Sequence, residues 1–203
     1  MLLSIKQHQW AAVMAQARVL SDAEVQRVMA MTHYTRHTQR NAVMFQLTLL
    51  AGLRACEVAA LRVRDVYEQA GDVKRSIVLS AGQTKGSKGN IVYVSNALAG
   101  VLSGYYDCVR DAARDSALLP SQRGGHMRVG AVINTLSHLY HLAGIEGASS
   151  HSGRRTFITK LADSGINARV IQALARHAHL NTTQRYIDIN DAKISKALEM
   201  VFG

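Results

Sequence analysis

A mainly helical domain with a small antiparallel β-sheet, an α+β fold, is what this chain predicts. Apolar residues recur at helical spacing through most of the sequence. A single proline among 203 residues and few aromatics disfavour a sandwich or barrel. Two short β-branched runs, 76–80 and 91–95, flank a loop rich in Gly, Ser, Thr and Lys. That pattern reads as a hairpin with a long basic turn.

Taken in order, residues 4–19 read as a helix without an evident role. Leu20-Ser21-Asp22-Ala23-Glu24-Val25 is a helix start: Ser21 is the N-cap, Glu24 completes a capping box, and Leu20 and Val25 form the staple. The helix should run to about Met31. Residues 39–51 form a second helix with Val43, Met44, Leu47 and Leu50 on one face, ended by Gly52. Residues 55–62 form a short helix on Val58 and Leu61. After the hairpin, 96–114 return to helix. Pro120 opens a loop, and 129–142 are helical with Val132, Leu136, Leu139 and Leu142 recurring. Two further helices, about 153–164 and 167–176, are separated by Gly165, which suits a C-cap. A short helical turn at 181–186 leads into a last segment, 191–202.

The length fits one domain with a core large enough to need neither disulfide nor metal. A hydrophobic fraction of 48% argues against disorder. With 24 Lys+Arg against 14 Asp+Glu, the net charge of +10 favours a polyanionic partner, nucleic acid before anionic membrane. Cys56 and Cys108 show no metal-ligand spacing, and a reducing compartment fits them. The N-terminus lacks the apolar length of a signal peptide, and no stretch reaches that of a membrane span. The expected location is the cytosol or nucleoid.

Chemistry concentrates near the C-terminus. His151-Ser152-Gly153-Arg154 is followed by Arg176-His177 and, nine residues after His177, by Tyr186. Far upstream, Arg54 stands in Gly52-Leu53-Arg54-Ala55-Cys56-Glu57. Two arginines, two histidines and a tyrosine are the parts needed to attack a phosphodiester with a phenolic oxygen. A guanidinium is permanently protonated and offers a two-pronged fork, so Arg54 and Arg154 can clamp the oxygens on which charge gathers. His151 and Arg154 are three apart and share a helical face. The phenol of Tyr186 is a weak nucleophile near neutrality and needs a base, for which His151 is a candidate. Lys85 on the basic turn can return a proton to the leaving oxygen, with Lys88 as the competing candidate. Lys88, Arg155, Arg176 and Arg185 are expected as DNA or surface contacts. Any one of these residues alone would be read as a solvated charge, a satisfied histidine or a packed tyrosine; the joint spacing carries the inference.

The sequence from about Leu20 to the C-terminus resembles the catalytic domain of the tyrosine recombinases, the phage-integrase family. Gly52-Leu53-Arg54-Ala55-Cys56-Glu57-Val58, with Leu61 and Asp65 following, is similar to the family's first arginine motif. Lys85 stands where its hairpin lysine stands. His151-Ser152-Gly153-Arg154, with Thr156 and Phe157, is similar to its His-x-x-Arg motif. His177 matches the second histidine, and Thr182-Thr183-Gln184-Arg185-Tyr186 matches the segment ending in the nucleophile. Two positions depart: Gly153 stands for a usual leucine, where it should loosen the helix start, and Arg176 stands for a usual glycine.

The resemblance implies residues 1–19 as a short extension and 20–203 as a catalytic domain without the family's N-terminal helical domain. The chain is then either a short-form member, like the invertases that switch promoters, or a fragment of a longer integrase. It further implies a 3′-phosphotyrosyl intermediate on Tyr186, a freed 5′ hydroxyl, and no ATP, metal or organic cofactor. Four protomers would act on two specific double-stranded DNA sites, with accessory DNA-bending or directionality factors. Ile194, Ala197, Leu198 and Val201 share one helical face; that helix docks either into a neighbouring protomer or onto its own domain. A type IB topoisomerase and a DNA-binding regulator that exchanges no strands are the rival readings.

Overall fold

Nine helices and one hairpin arise in the described part of the chain. The computed structural model describes residues 17–84 and 89–187, together with 195, 198 and 199. Residues 4–16 of the expected first helix, the hairpin tip with Lys85 and Lys88, and most of 191–202 lie outside the described residues. Residues 17–19 are described and are not helical.

Helix α1 (Asp22–Thr32) starts as its capping box dictates: Ser21 Oγ accepts from the Glu24 N–H at 3.3 Å, and Glu24 Oε2 accepts from the Ser21 N–H at 2.9 Å. Helix α2 (Thr38–Leu50) buries Val43, Met44, Phe45, Leu47 and Leu49. Helix α3 (Ala55–Ala60) is followed by a single turn, α4 (Val63–Val66), which the apolar pattern did not announce. Asp65 caps that turn by accepting from the Arg62 N–H at 2.9 Å.

Strands β1 (Ser76–Leu79) and β2 (Asn90–Tyr93) pair antiparallel, with Ile77 opposite Val92 and Val78 opposite Ile91. Ile77, Leu79 and Val92 face the core, while Val78, Ile91 and Tyr93 are exposed. β1 ends before Ser80 because a 3-10 turn follows, whose Gln83 amide donates to the Ala60 carbonyl at 2.9 Å and to Asp65 at 2.7 Å. The root of the basic loop is thereby fastened beside α3.

Helix α5 (Asn96–Tyr105) is shorter than the expected 96–114. Beyond Tyr105 only Tyr106 and Val109 offer large apolar side chains to the core, and half of the residues from 106 to 115 are charged, so no amphipathic face is sustained. Helix α6 (Val129–Leu142) matches its expected span and buries Val132, Leu136, Leu139 and Tyr140. Helices α7 (Ser152–Asp163) and α8 (Ala168–Ala175) are separated at Gly165, φ 77°, and α9 (Leu180–Gln184) follows.

The main core gathers α1 to α6 and the inner face of the hairpin. A second, smaller cluster of Ile158, Ala162, Ile171 and Ala175 sits under α7 and α8, with Phe157, Leu161, Tyr186 and Ile187 packed against it. The C-terminal chemistry is mounted on this second cluster and Arg54 on the first. Helices α2 and α7 join them closely: a Cβ on Gly153 would collide with the Thr48 side chain of α2. Gly153 therefore leaves the helix start intact, contrary to the expected loosening, and sets a close approach.

Candidate active site

Arg54 is placed by a reversal of the chain. After α2, Gly52 adopts φ 58°, and a Cβ there would meet the Phe157 ring at 2.5 Å. The turn drives Leu53 into the core and leaves Arg54 at the N-cap of α3. Glu57, fully buried, accepts from the Arg54 backbone N–H at 2.8 Å and from its Nη1 at 2.8 Å. Burial pushes the Glu57 carboxyl up, but Arg176 and the hydrogen bonds and charge of Arg54 outweigh it and hold the carboxyl below its ordinary value.

Arg154 approaches from the other side. It lies in the first turn of α7, buried, and donates through Nη1 to the Gly52 carbonyl and through Nη2 to the Ala175 carbonyl. Burial first, then the neighbouring positive charges of Arg54 and Arg176, pull its guanidinium down to about 9, so it stays charged at neutral pH. His151, at the N-cap of the same helix, is exposed.

His177 follows α8. Its Nδ1 lies 2.9 Å from the buried Thr183 hydroxyl, and a Thr183 O–H donating there leaves the ring proton on Nε2. Burial, then Arg154, Arg54 and Arg176, push His177 down to about 4, so it is neutral at pH 7. The Tyr186 ring stacks on His177, centroids 6.1 Å apart, and the Arg155 guanidinium lies 5.7 Å from the Tyr186 centroid.

A pocket of about 260 Å³ opens among His151, Arg154, Arg155, Thr182, Arg185 and Tyr186. His151 also borders a wider hollow of about 890 Å³ that contains Arg54 and Thr84. The structure thus gathers Arg54, His151, Arg154, His177 and Tyr186 in one region, with the root of the Lys85 loop at its edge. Arg185 is exposed at the pocket rim.

One expectation needs correction. Arg176 is no surface contact: its side chain is 2% exposed and donates to Glu57 at 2.9 Å, because a buried carboxylate attracts a second cation inward. Arg155 is only partly exposed and lies on Tyr186, with its Nε buried and unpartnered. Sequence reasoning assigned no role to Glu57 or Thr183. Their available signals were the three-residue spacings Arg54–Glu57, which suits a capping carboxylate, and Thr183–Tyr186, which sets both in one helical turn.

Comparison with known proteins bears on the family and the fold. Tyrosine recombinase XerD of Oceanobacillus iheyensis is 30% identical over 182 residues, covering 87% of this chain and 59% of that protein. XerA of Thermococcus kodakarensis is 29% identical, with 90% of this chain and 62% of that protein covered. The chain therefore spans about three fifths of these relatives' length. Among solved structures, XerA recombinase superposes with a TM-score of 0.72 at 24% identity, over 92% of this chain and 65% of that one. XerH bound to its difH substrate superposes at 0.68 with 19% identity, over 91% and 54%. Both likenesses are of the fold. The sequence profile described as the phage integrase family matches residues 18–193, and the chain belongs to that family.

Proposed function

We propose that this chain is the catalytic portion, residues 20–203, of a site-specific DNA recombinase that cuts and rejoins strands through Tyr186. One observation carries the reading: Arg54 and Arg154, from separate segments, are drawn to adjoining backbone carbonyls beside a pocket lined by Tyr186. A phosphodiester entering there meets two cations for its non-bridging oxygens. As the Tyr186 oxygen bonds to phosphorus, the bond to the 5′ oxygen breaks and the phosphate stays on the enzyme. The phenolic proton passes to His151. Neutral His177 offers its Nε2–H to a phosphate oxygen, and Lys85 gives the leaving oxygen its proton, with Lys88 the competing donor. Attack by a 5′ hydroxyl of the partner strand reverses these steps and conserves bond energy. Double-stranded DNA with specific sites is the partner, four protomers forming the synapse with accessory factors.

The test is a duplex nicked close to the cleavage position, so that cutting releases a short fragment and traps the protein. The wild type should yield a covalent complex that Tyr186→Phe abolishes while retaining duplex affinity. Binding without covalent product would favour a DNA-binding regulator instead. Relaxation of supercoiled DNA lacking any specific site would favour a type IB topoisomerase.

A further inference from the structure

Arg176 closes α8 with φ 55° and ψ 45°, and among the described residues it alone holds a positive φ without being glycine. A helix end of this kind is ordinarily glycine's, because a Cβ crowds the left-handed backbone. The side chain accounts for the exception. Its Nη2 donates to the Gly52 carbonyl and to Glu57 Oε2, each at 2.9 Å, and its Nη1 donates to the Leu174 carbonyl at 3.0 Å. Arg154 donates to that same Gly52 carbonyl. Arg54 occupies the other oxygen of Glu57 at 2.8 Å and donates to the Arg176 carbonyl at 3.3 Å. Each of the two site arginines thus shares an acceptor with Arg176.

We propose that Arg176 is a positioning residue for strand cleavage, fixing Arg54 and Arg154 relative to each other through the Glu57 carboxylate and the Gly52 carbonyl. The inference rests on the recombinase reading above and adds a residue whose side chain contacts the protein alone. Two consequences follow from its chemistry. The planar fork spans two acceptors at once, which an ammonium cannot do with the same geometry. Its charge also changes the balance: three guanidiniums face one carboxylate, and without Arg176 only two would, one of them cancelled by Glu57. The site would then offer a phosphate less positive charge, less firmly held.

The experiment uses the whole chain and the nicked duplex. Arg176→Gly suits the left-handed backbone and removes the fork; Arg176→Lys keeps the charge and loses the fork. Duplex affinity at fixed salt should stay within about twofold in both, while first-order cleavage falls about 10²-fold in Arg176→Gly, the size of effect a misplaced group produces. Arg176→Lys should fall between that variant and the wild type. A second readout separates positioning from mere structural support. His177 is faced by Arg154 of α7, Arg54 ahead of α3, Arg176 beside it, and Thr183 and Tyr186 from the α9 segment. Removing one cation from that set should raise the pH at which the His177 ring takes up its proton in Arg176→Gly, read from its imidazole NMR signals, and leave it in place in Arg176→Lys. A purely structural role would lower Tm without moving that titration. A folded Arg176→Gly protein with wild-type cleavage rate and wild-type His177 titration overturns the proposal. Should Arg176→Gly not fold, Arg176→Lys decides: an unchanged rate overturns it, and a slowed rate at unchanged affinity supports it. Absence of covalent product from the wild type would sink the recombinase reading instead, so the two failures are distinguishable.

Discussion

His177 shows how a single residue's state follows from its surroundings. An imidazole in water titrates at 6.5, whereas burial and three nearby guanidiniums hold this one at about 4. The folded form therefore resists protonation that the unfolded chain accepts. Its contribution to stability is complete above about 6.5 and is lost as pH falls through the interval down to about 4. Glu57 works lower, since its carboxyl is held below the ordinary 4.5. Thermal melts of the wild type and His177→Gln across pH 4.5 to 7.5 should accordingly converge toward acid, with the wild type losing its advantage. A constant gap in Tm would mean that His177 titrates like a free imidazole.

Among the elements, the pairing of α2 with α7 is the least tolerant. Gly153 carries no side chain because Thr48 occupies the space, and the leucine usual in the family would demand more room than α2 leaves. Gly153→Ala should cost ~1–3 kcal/mol through overpacking and lower Tm accordingly. It should slow cleavage as well, since Arg154 follows by one residue on the same helix. Thr48→Ala in the same chain should recover part of the loss by removing the nearest atom. A Gly153→Ala protein that melts with the wild type would show that α7 has slack. The other element boundaries were mostly local matters. Ser21 and Glu24 start α1, Gly165 divides α7 from α8, and α6 fills its apolar repeat. The extra turn α4 depended on a partner elsewhere: Asp65 fixes it, and Gln83 of the hairpin root engages Asp65.

At the scale of the molecule, the excess of 24 basic over 14 acidic side chains sets long-range behaviour. Each phosphate neutralised releases counterions, so affinity for duplex DNA should fall steeply with salt, by about 10³-fold or more between roughly 50 and 200 mM for six or more phosphate contacts. Fluorescence anisotropy with a labelled duplex measures this directly, and a flat response would argue against nucleic acid as the partner. No helix among the described residues is long and apolar enough to cross a membrane.

The sequence by itself determined the helical framework and the hairpin, and it singled out Arg54, His151, Arg154, His177 and Tyr186 as the candidates that the fold draws together. Periodicity, caps and motif spacing act over a few residues, and a local code can be read locally. Only the tertiary structure decided where Arg176 points, why position 153 is glycine, and that a buried carboxylate joins two arginines. Those outcomes rest on contacts between distant segments: Arg154 and Gly52 are 102 positions apart, and Arg176 and Glu57 are 119. Before folding, Arg176 is one basic residue among 24. Packing removes it from water and sets it against Glu57 and the carbonyls of Ala51, Gly52 and Leu174, and that desolvation has no signature in the order of residues along the chain.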